Sequence, residues 1–415
     1  MFCGLALHVH AQDDREHVLA KPSEFTDVLD AFEHGALPDF NVGLSYRRTH
    51  ARATVARERI GAQDAIAGRY VPIAVSSQTI NALGLELAVG VYSDLMVYGR
   101  LPLVLSDTRN LRTPSGVRTT AVPAAPRAGS AEPLFELDVD SKTRSGMPGL
   151  DLGVAWGVVN QYRKPYLPTW VLSLETRLGF GRLIEACRDG TGCSSGINRG
   201  TSMITLGSRW SYRVHWAEPY VGLRYMHEWA TSASGRFAPH GDQPGYVQNT
   251  PPSVQELTLG TALVAWEDRA RFQRLAIDVR GYAAHVSAGR DYSALFDALG
   301  TSTHPELAQP YETSSGDEVP FTGLTQVASH ARFAAELALA TQAARYIRFR
   351  LGFMLSHVTA HWLTDAVGCA VEGASPCPSD RVNLLYRPVI DMPGQRFLQM
   401  AALSYDLFAN ASGEF

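Results

Sequence analysis

Apolar residues alternate with polar or small residues along most of the chain. In the clearest segment every second residue from Ile347 to Leu355 is apolar, and Arg348 and Arg350 lie between them. A period of two predicts β-strands, and twelve can be placed, from Phe40 to Thr49 through to Arg396 to Asn410, with about ten to fourteen compatible with the pattern. A soluble sandwich would bury the apolar faces against each other, whereas a membrane barrel would turn them towards lipid.

The connections between these strands alternate in length. Short connections are Ser93-Asp94, Gln161 to Pro168, Val214 to Ala217, Glu267 to Arg271 and Ala343-Ala344. Long connections are His50 to Asn81, Asn110 to Pro148, Gly181 to Asn198, Ser232 to Pro252, Asp291 to Val327 and Leu363 to Gln395. Short turns at one rim and long loops at the other are typical of outer-membrane barrels. The pattern therefore favours an all-β, up-and-down antiparallel transmembrane barrel over residues 40–415, with both of its ends on the periplasmic side.

Aromatic residues support this interpretation, because rings near strand ends can bridge lipid and headgroups. They are Tyr92, Tyr98, Trp156, Tyr162, Tyr166, Trp170, Trp210, Tyr212, Trp216, Tyr220, Trp229 and Trp266. Ordinary strand aromatics in a soluble core are the alternative.

Composition narrows the class further. The 415 residues carry a formal net charge of −4, which has the wrong sign for a protein held to nucleic acid by a basic surface. A hydrophobic content of 45% is enough to bury a core, so disorder as the main class is excluded. The chain contains no run of about 18 apolar residues, which excludes a helical membrane protein.

Four of the five cysteines form two local pairs, Cys187 with Cys193 and Cys369 with Cys377. Each pair lies in a Gly/Ser/Pro-rich stretch of a long loop, and such spacing suits two small disulfide-closed loops in an oxidising compartment. A zinc site built from all four cysteines is the alternative, but it lacks the C-x2-C spacing.

The first 39 residues precede the barrel. Phe2 to Leu7 is a short apolar run followed by Val9-His10-Ala11-Gln12, so residues 1–11 are expected to be a signal-peptide remnant. Residues 12–39 are expected to be a periplasmic segment with a short helix, capped by Ser23, with Phe25, Val28, Leu29 and Phe32 on one face and Gly35 and Pro38 at its end. This segment could anchor the chain below the barrel or plug its mouth; we expect the anchor.

The last strand carries a resemblance to a known class. Leu403, Tyr405 and Leu407 alternate within Arg396 to Phe408, and Phe415 ends the chain. This segment resembles the C-terminal assembly signal of Gram-negative outer-membrane β-barrel proteins, with Ala401 where Gly is usual. Other segments look like those of uncharacterised porin-like or transporter-like barrels: Leu95 to Asn110, Pro168 to Leu178 and Glu218 to Tyr225. The resemblance implies an outer-membrane location, with lipid and the barrel-assembly machinery as partners, more than it implies an activity.

Charged residues fall on the face opposite the apolar one and are expected to line the lumen. The cations are Arg47, Arg100, Arg177, Arg209, Arg213, Arg224, Arg280, Arg332, Arg348 and Arg350, and the anions are Glu86, Asp151, Glu175, Asp278, Glu336 and Asp406. Ten cations against six anions predict a positive, anion-attracting pore, because charges at a constriction select the sign of the solute. The alternative is a cross-strand ladder of salt bridges that closes the lumen.

Sequence patterns that would indicate an enzyme are weaker than those that indicate a channel. Twelve strands are also associated with the outer-membrane phospholipase family, but Ser194 to Asn198 has no neighbouring His, and His227-Glu228-Trp229 has no following Ser. His357 and His361 lack a third metal ligand. We therefore expect no enzyme, no cofactor and no metal site.

The sequence thus predicts an outer-membrane channel or transporter for small solutes, with a preference for anions set by lumenal arginines. A plugged structural or surface-binding barrel is the main alternative, and a lipid-hydrolysing enzyme that uses Ser195 is a third.

Overall fold

Twelve long antiparallel strands close into a barrel, seen in a computed structural model that describes residues 22–31, 39–58, 70–116, 121–124, 133–189, 192–193, 195–231, 235–241 and 243–415. The strands are β1 (Phe40–Glu58), β2 (Tyr70–Tyr92), β3 (Leu95–Arg112), β4 (Gly149–Val159), β5 (Thr169–Gly179), β6 (Thr201–Ser211), β7 (Ala217–Ala230), β8 (Val254–Asp268), β9 (Gln273–Val286), β10 (His330–Ala344), β11 (Ile347–Val358) and β12 (Ala402–Glu414). Each strand pairs with the next, and β12 pairs with β1, where Asn41 lies opposite Glu414. The predicted all-β meander is confirmed.

The period of two separates an outer face from an inner face. On β11, Phe349, Leu351 and Phe353 are exposed, whereas Arg348 and Arg350 between them are covered. Exposed apolar residues recur on the other strands, for example Leu85, Leu152, Leu174, Leu206, Leu223, Leu259, Val279, Leu337 and Leu407. A closed barrel leaves no strand edge unpaired, so this apolar outer belt can face lipid without exposing backbone polar groups.

Two strand boundaries differ from the prediction. β1 and β2 have 19 and 23 residues against 11 in β4, so their hairpin extends well past Thr49. The sequence pattern missed this extension because Arg52, Thr54 and Ser76 interrupt the apolar alternation there. β12 starts at Ala402 rather than Arg396, and Phe397–Gln399 forms a separate short strand against β1. Phe415 continues β12 through two backbone hydrogen bonds with Phe40.

The long loops carry small elements of their own. Short strands are Ala121–Pro123, Pro133–Glu136, Val139–Asp140, Arg144–Gly146, Gly289–Asp291, Tyr311–Glu312, Glu318–Val319, Thr325–Val327, His361–Trp362 and Phe397–Gln399. Helices are α1 (Phe296–Gly300), α2 (Pro305–Ala308) and α3 (Pro388–Asp391), and 3-10 turns are Arg269–Arg271 and Ser379–Arg381. None of the helices in the described ranges is long and apolar enough to cross a membrane.

Three long loops pack together over the long-loop end of the barrel, and we call this unit the loop cap. It is formed by the β3–β4, β9–β10 and β11–β12 connections. Its core contains Leu134, Phe135, Leu295, Leu299, Leu307, Val389, Ile390 and Phe397, together with Val55, Ala74 and Leu111 from the extended strand ends. Burial of this apolar surface holds the loops over the lumen rather than leaving them in solvent.

Candidate functional site in the barrel lumen

Residues 22–31, here called the N-terminal segment, lie inside the barrel near its short-turn end. The backbone N–H and hydroxyl of Ser23 donate to Glu218 at 3.0 Å, and the Thr26 hydroxyl is 2.7 Å from that of Ser211. The Phe25 ring stacks on Tyr220 with 4.3 Å between centroids. Glu218, Tyr220 and Ser211 are all inward-facing, so this part of the chain occupies the lumen instead of anchoring below it.

The prediction of a helix in this segment is wrong for residues 22–31, the part that the structure describes. Glu24 to Thr26 form a turn, in which the Thr26 and Asp27 N–H groups donate to the Ser23 carbonyl. Ser23 does not cap a helix here, because no helix follows it in residues 24–31 and its hydroxyl donates to Glu218 in the barrel wall. Phe32, Gly35 and Pro38, which were expected to complete the helix, lie outside the described residues.

Ion pairs complete the seating of the N-terminal segment. Asp27 accepts from Arg348 at 2.6 Å, Glu24 lies 3.6 Å from Arg350, and Asp30 accepts from Arg163. Within the described residues no backbone-to-backbone hydrogen bond joins the segment to a barrel strand. The segment is therefore attached by side-chain contacts, unlike the strands of the wall.

A charge cluster lies beside the segment at mid-lumen. Asp278 accepts from Arg280 at 2.5 Å and from Arg350 at 2.6 Å, and Arg350 also donates to Glu336 at 2.5 Å. The Tyr220 hydroxyl donates to Asp278 and accepts from Arg280 Nε at 2.8 Å. These contacts join β7, β9, β10 and β11, so the charges of this cluster largely compensate one another.

A second cluster lines the wall from β2 to β5. Arg100 donates to Glu86 at 2.8 Å and approaches Glu175 at 3.3 Å, and the Tyr98 hydroxyl donates to Glu175 at 3.1 Å. Arg177 pairs with Asp151 at 2.6 Å on the same face. Tyr98 and Tyr220 were expected at the membrane interface, and this is wrong because both hydroxyls bind lumenal carboxylates.

The remaining predicted lumen residues have different surroundings. Arg224 lies 3.4 Å from Glu256, Arg47 lies 3.9 Å from Asp406, and Arg332 lines the outer cavity of the lumen. Arg209 donates to the Phe25 carbonyl at 2.8 Å, and its buried Nε has no hydrogen-bond partner. No carboxylate of the described residues forms a salt bridge with Arg209.

Sequence reasoning missed several lumenal carboxylates, which reduce the predicted excess of cations. Glu218, Glu256 and Glu414 lie on inward-facing positions of their strands. They could have been predicted, because they occupy the positions that alternate with outward-facing apolar residues on their strands. Glu24 and Asp27 could not be anticipated in this way, because a non-strand segment carries them into the barrel.

The lumen contains two cavities. The outer one, about 650 Å³, lies between mid-lumen and the loop cap and is lined by Arg47, Arg332, Glu336, Asp406, Asp297 and His361 among others. The inner one, about 310 Å³, is lined by Glu24, Asp27, Glu86, Tyr98, Arg100 and Arg209 among others. Charged and polar side chains thus line both cavities, and residues of the segment line the inner one.

The loop cap has a buried polar anchor. Asp297 on α1 accepts from Arg144 at 2.5 Å, from the Ser141 hydroxyl at 2.7 Å and from the Cys187 N–H at 3.0 Å.

Other features of the long loops are a second buried carboxyl and two disulfides. Burial raises the pKa of Asp391 on α3 to about 7. The structure pairs Cys187 with Cys193 and Cys369 with Cys377, with Cα separations of 6.2 and 5.8 Å.

Residues weighed for catalysis occupy structural positions. The Ser195 hydroxyl accepts from Arg144 at 2.9 Å and donates to the Glu185 carbonyl at 3.1 Å. His361 stacks on His330 with 3.9 Å between ring centroids, while His357 is exposed. The part of the chain that the structure describes contains no group of three or more metal-ligating side chains.

A closed antiparallel barrel with an apolar outer belt, a polar lumen and long loops at one end defines an outer-membrane β-barrel protein, and the outer membrane is its location. Solved structures similar to it include an outer membrane channel from Pseudomonas putida, at 9% identity and a TM-score of 0.43, covering 95% of this chain and 99% of that chain. A Pseudomonas aeruginosa FadL homologue gives 9% identity, a TM-score of 0.35, and coverage of 91% and 90%. The translocator domain of the autotransporter NalP from Neisseria meningitidis gives 8%, 0.32, and coverage of 99% and 98%. No family model and no curated protein matches the sequence.

Proposed function

We propose that the protein is an outer-membrane channel for small solutes that its N-terminal segment closes from the periplasmic side. The observation that carries this proposal is the segment itself, which occupies a polar lumen that also contains cavities of about 650 and 310 Å³, the smaller of them lined in part by Glu24 and Asp27. A barrel built only for structure has no need of polar cavities in a lumen that a separate segment of the chain occupies.

The contacts of the segment suit a gate. They are side-chain hydrogen bonds and ion pairs, such as Ser23 with Glu218 and Asp27 with Arg348. These contacts are buried or partly buried, but each is made by side chains rather than by the strand ladder, so they can break without opening the sheet. The wall residues keep other partners when the segment leaves, because Arg348 also binds Glu414 at 2.9 Å.

Locking the segment tests the gate. The Thr26 and Ser211 hydroxyls are 2.7 Å apart, so cysteines at both positions are well placed for a disulfide. In planar bilayers we expect the wild-type chain to show discrete openings, the oxidised Thr26→Cys/Ser211→Cys variant to show none, and reductant to restore them. Wild-type protein with reductant controls for the native disulfides.

Releasing the segment is the complementary test. Phe25→Lys/Asp27→Asn places a cation beside Arg209 and Arg280 and removes the ion pair to Arg348, so we expect long-lived openings. The same variant reports ion preference, because it lacks the Asp27 carboxylate and withdrawal takes Glu24 and Asp30 out of the lumen, while their arginine partners stay in the barrel. We propose that the open channel prefers anions, and a reversal potential in a KCl gradient that indicates cation preference would contradict it.

The second candidate is a permanently closed, surface-binding barrel, and the buried apolar core of the loop cap favours it. The release variant separates the two. A variant that inserts and migrates as a folded barrel, yet gives no conductance step, rules out the channel and leaves the closed barrel.

A further inference from the structure

The Phe25 ring occupies a preformed pocket in the lumen wall. One face of the ring stacks on Tyr220, and the guanidinium carbons of Arg280 and Arg209 lie 5.5 and 6.0 Å from its centroid. Gly222 makes room for the ring, since a Cβ at that position would lie 2.6 Å from Phe25 Cζ. Aromatic stacking and cation–π contacts surround a ring that belongs to a removable segment.

Tyr220 and Arg280, two walls of the pocket, do not depend on Phe25 for their positions. Tyr220 donates to Asp278, and Arg280 donates to both Tyr220 and Asp278. These bonds lie within the barrel wall, so the Tyr220 and Arg280 side of the pocket keeps its shape when the segment withdraws, while Arg209 loses the Phe25 carbonyl and needs a new acceptor. A site that needs no reorganisation binds its ligand with less loss of conformational entropy.

Arg209 adds a polar end to the pocket. It donates to the Phe25 carbonyl at 2.8 Å through one terminal nitrogen, while its buried Nε has no hydrogen-bond partner. A guanidinium fork matches a carboxylate, which accepts two parallel hydrogen bonds. The single carbonyl of Phe25 therefore uses only part of the donor capacity of Arg209.

On the assumption that the proposed channel function holds, we propose that this pocket is a solute site for arylalkanoate anions, with the ring on Tyr220 and the carboxylate on Arg209. Phe25 shows the required spacing, because two carbons separate its ring from its carbonyl. The anion with that spacing is 3-phenylpropanoate. The N-terminal segment and the solute would then compete for one site, so solute binding favours the open lumen.

Competition gives a test that does not depend on conduction. Thr26 is 1% exposed, so in a full-length Thr26→Cys variant a thiol reagent reports withdrawal of the segment. We expect 3-phenylpropanoate to accelerate labelling at a concentration about tenfold lower than 3-cyclohexylpropanoate, which lacks the aromatic face, or 3-phenylpropan-1-ol, which lacks the charge. The wild-type chain, which contains Cys3, measures the background.

Matched arginine substitutions locate the effect. Arg209→Gln is expected to abolish the advantage of the anion over the alcohol, whereas Arg224→Gln, which removes another lumenal charge outside the pocket, is expected to keep it. Tyr220→Phe keeps the ring and should keep the aromatic preference. Calorimetric titration of the detergent-purified Phe25→Lys/Asp27→Asn variant measures the same three probes without competition from the segment.

The outcomes separate the two proposals. Equal effects of the three probes, or none in either assay, overturn the arylalkanoate site even if the release variant conducts ions. Selective binding in a release variant that conducts nothing keeps the site and overturns the channel.

Discussion

At the scale of single residues, the seating of Phe25 depends on a missing side chain. Gly222 faces the lumen on β7, and its place under the ring leaves no volume for even one methyl group. Arg209 holds the Phe25 carbonyl on the other side of the residue. The ring therefore cannot shift away from position 222 without weakening its own polar contact.

Gly222→Ala is expected to unseat the segment without harming the barrel. Overpacking of this kind costs about 1–3 kcal/mol, which corresponds to an increase of about 5-fold to 150-fold in the equilibrium constant for opening. Single-channel recording measures it. Gly281→Ala is the matched control, because the nearest atom to a Cβ there is the Leu259 carbonyl oxygen at 3.9 Å. An unchanged open probability in Gly222→Ala would show that Phe25 does not hold the gate.

At the scale of elements, each strand is a boundary between lipid and lumen. β11 illustrates this, because Leu351 is 62% exposed on the outer face and the adjacent Arg350 is 5% exposed on the inner one. Ile347 lies on the same outer face at the short-turn end, next to Tyr346. Depth in the bilayer, rather than exposure alone, should therefore set the cost of a charge on this face.

Leu351→Arg is expected to lower the free energy of unfolding by about 2–4 kcal/mol, and Ile347→Arg by about 0–1 kcal/mol, because the cost of a cation falls from the bilayer midplane to its interface. Denaturant titration of the barrel in phospholipid vesicles measures both values. Equal costs at the two positions would show that the lipid belt is not centred near Leu351.

The strands could be predicted from the sequence because the period of two depends only on neighbouring residues. The position of the N-terminal segment inside the barrel could not be predicted. The alternation of apolar and polar neighbours indicates which face Arg348 and Leu351 take, and the short connection Ser93-Asp94 indicates a tight turn. Ser23 and Glu218 are 195 residues apart, so their contact depends on barrel closure. Tyr98 and Tyr220 were assigned to the membrane interface because proximity to a strand end does not reveal which face a ring takes. The extension of β1 and β2 was missed because Val55 and Ala74 pack into the loop-cap core rather than facing lipid.

At the scale of the whole molecule, different kinds of interaction hold the elements that cover the two ends of the lumen. Polar contacts seat the N-terminal segment at the short-turn end, and an apolar core holds the loop cap at the other. Contacts of the first kind can break one at a time, while a packed core opens cooperatively. We infer that the segment is the faster gate and that the loop cap forms a separate cooperative unit above the barrel.

Asp297 tests whether the loop cap is a separate unit. Its carboxylate is the only salt-bridge partner of Arg144 among the described residues, and Arg144 is 0% exposed. Asp297→Asn leaves that guanidinium buried without a counter-charge, a change that typically costs about 3–5 kcal/mol. Limited proteolysis of the folded, membrane-inserted barrel should then cleave the long loops faster, with the unfolding of the barrel itself unchanged. Asp140→Asn removes the 52% exposed partner of Arg112 from the β3–β4 connection, which also carries Arg144, and should leave cleavage near the wild-type rate. Loss of the barrel together with the loops in Asp297→Asn would show instead that cap and wall fold as one unit.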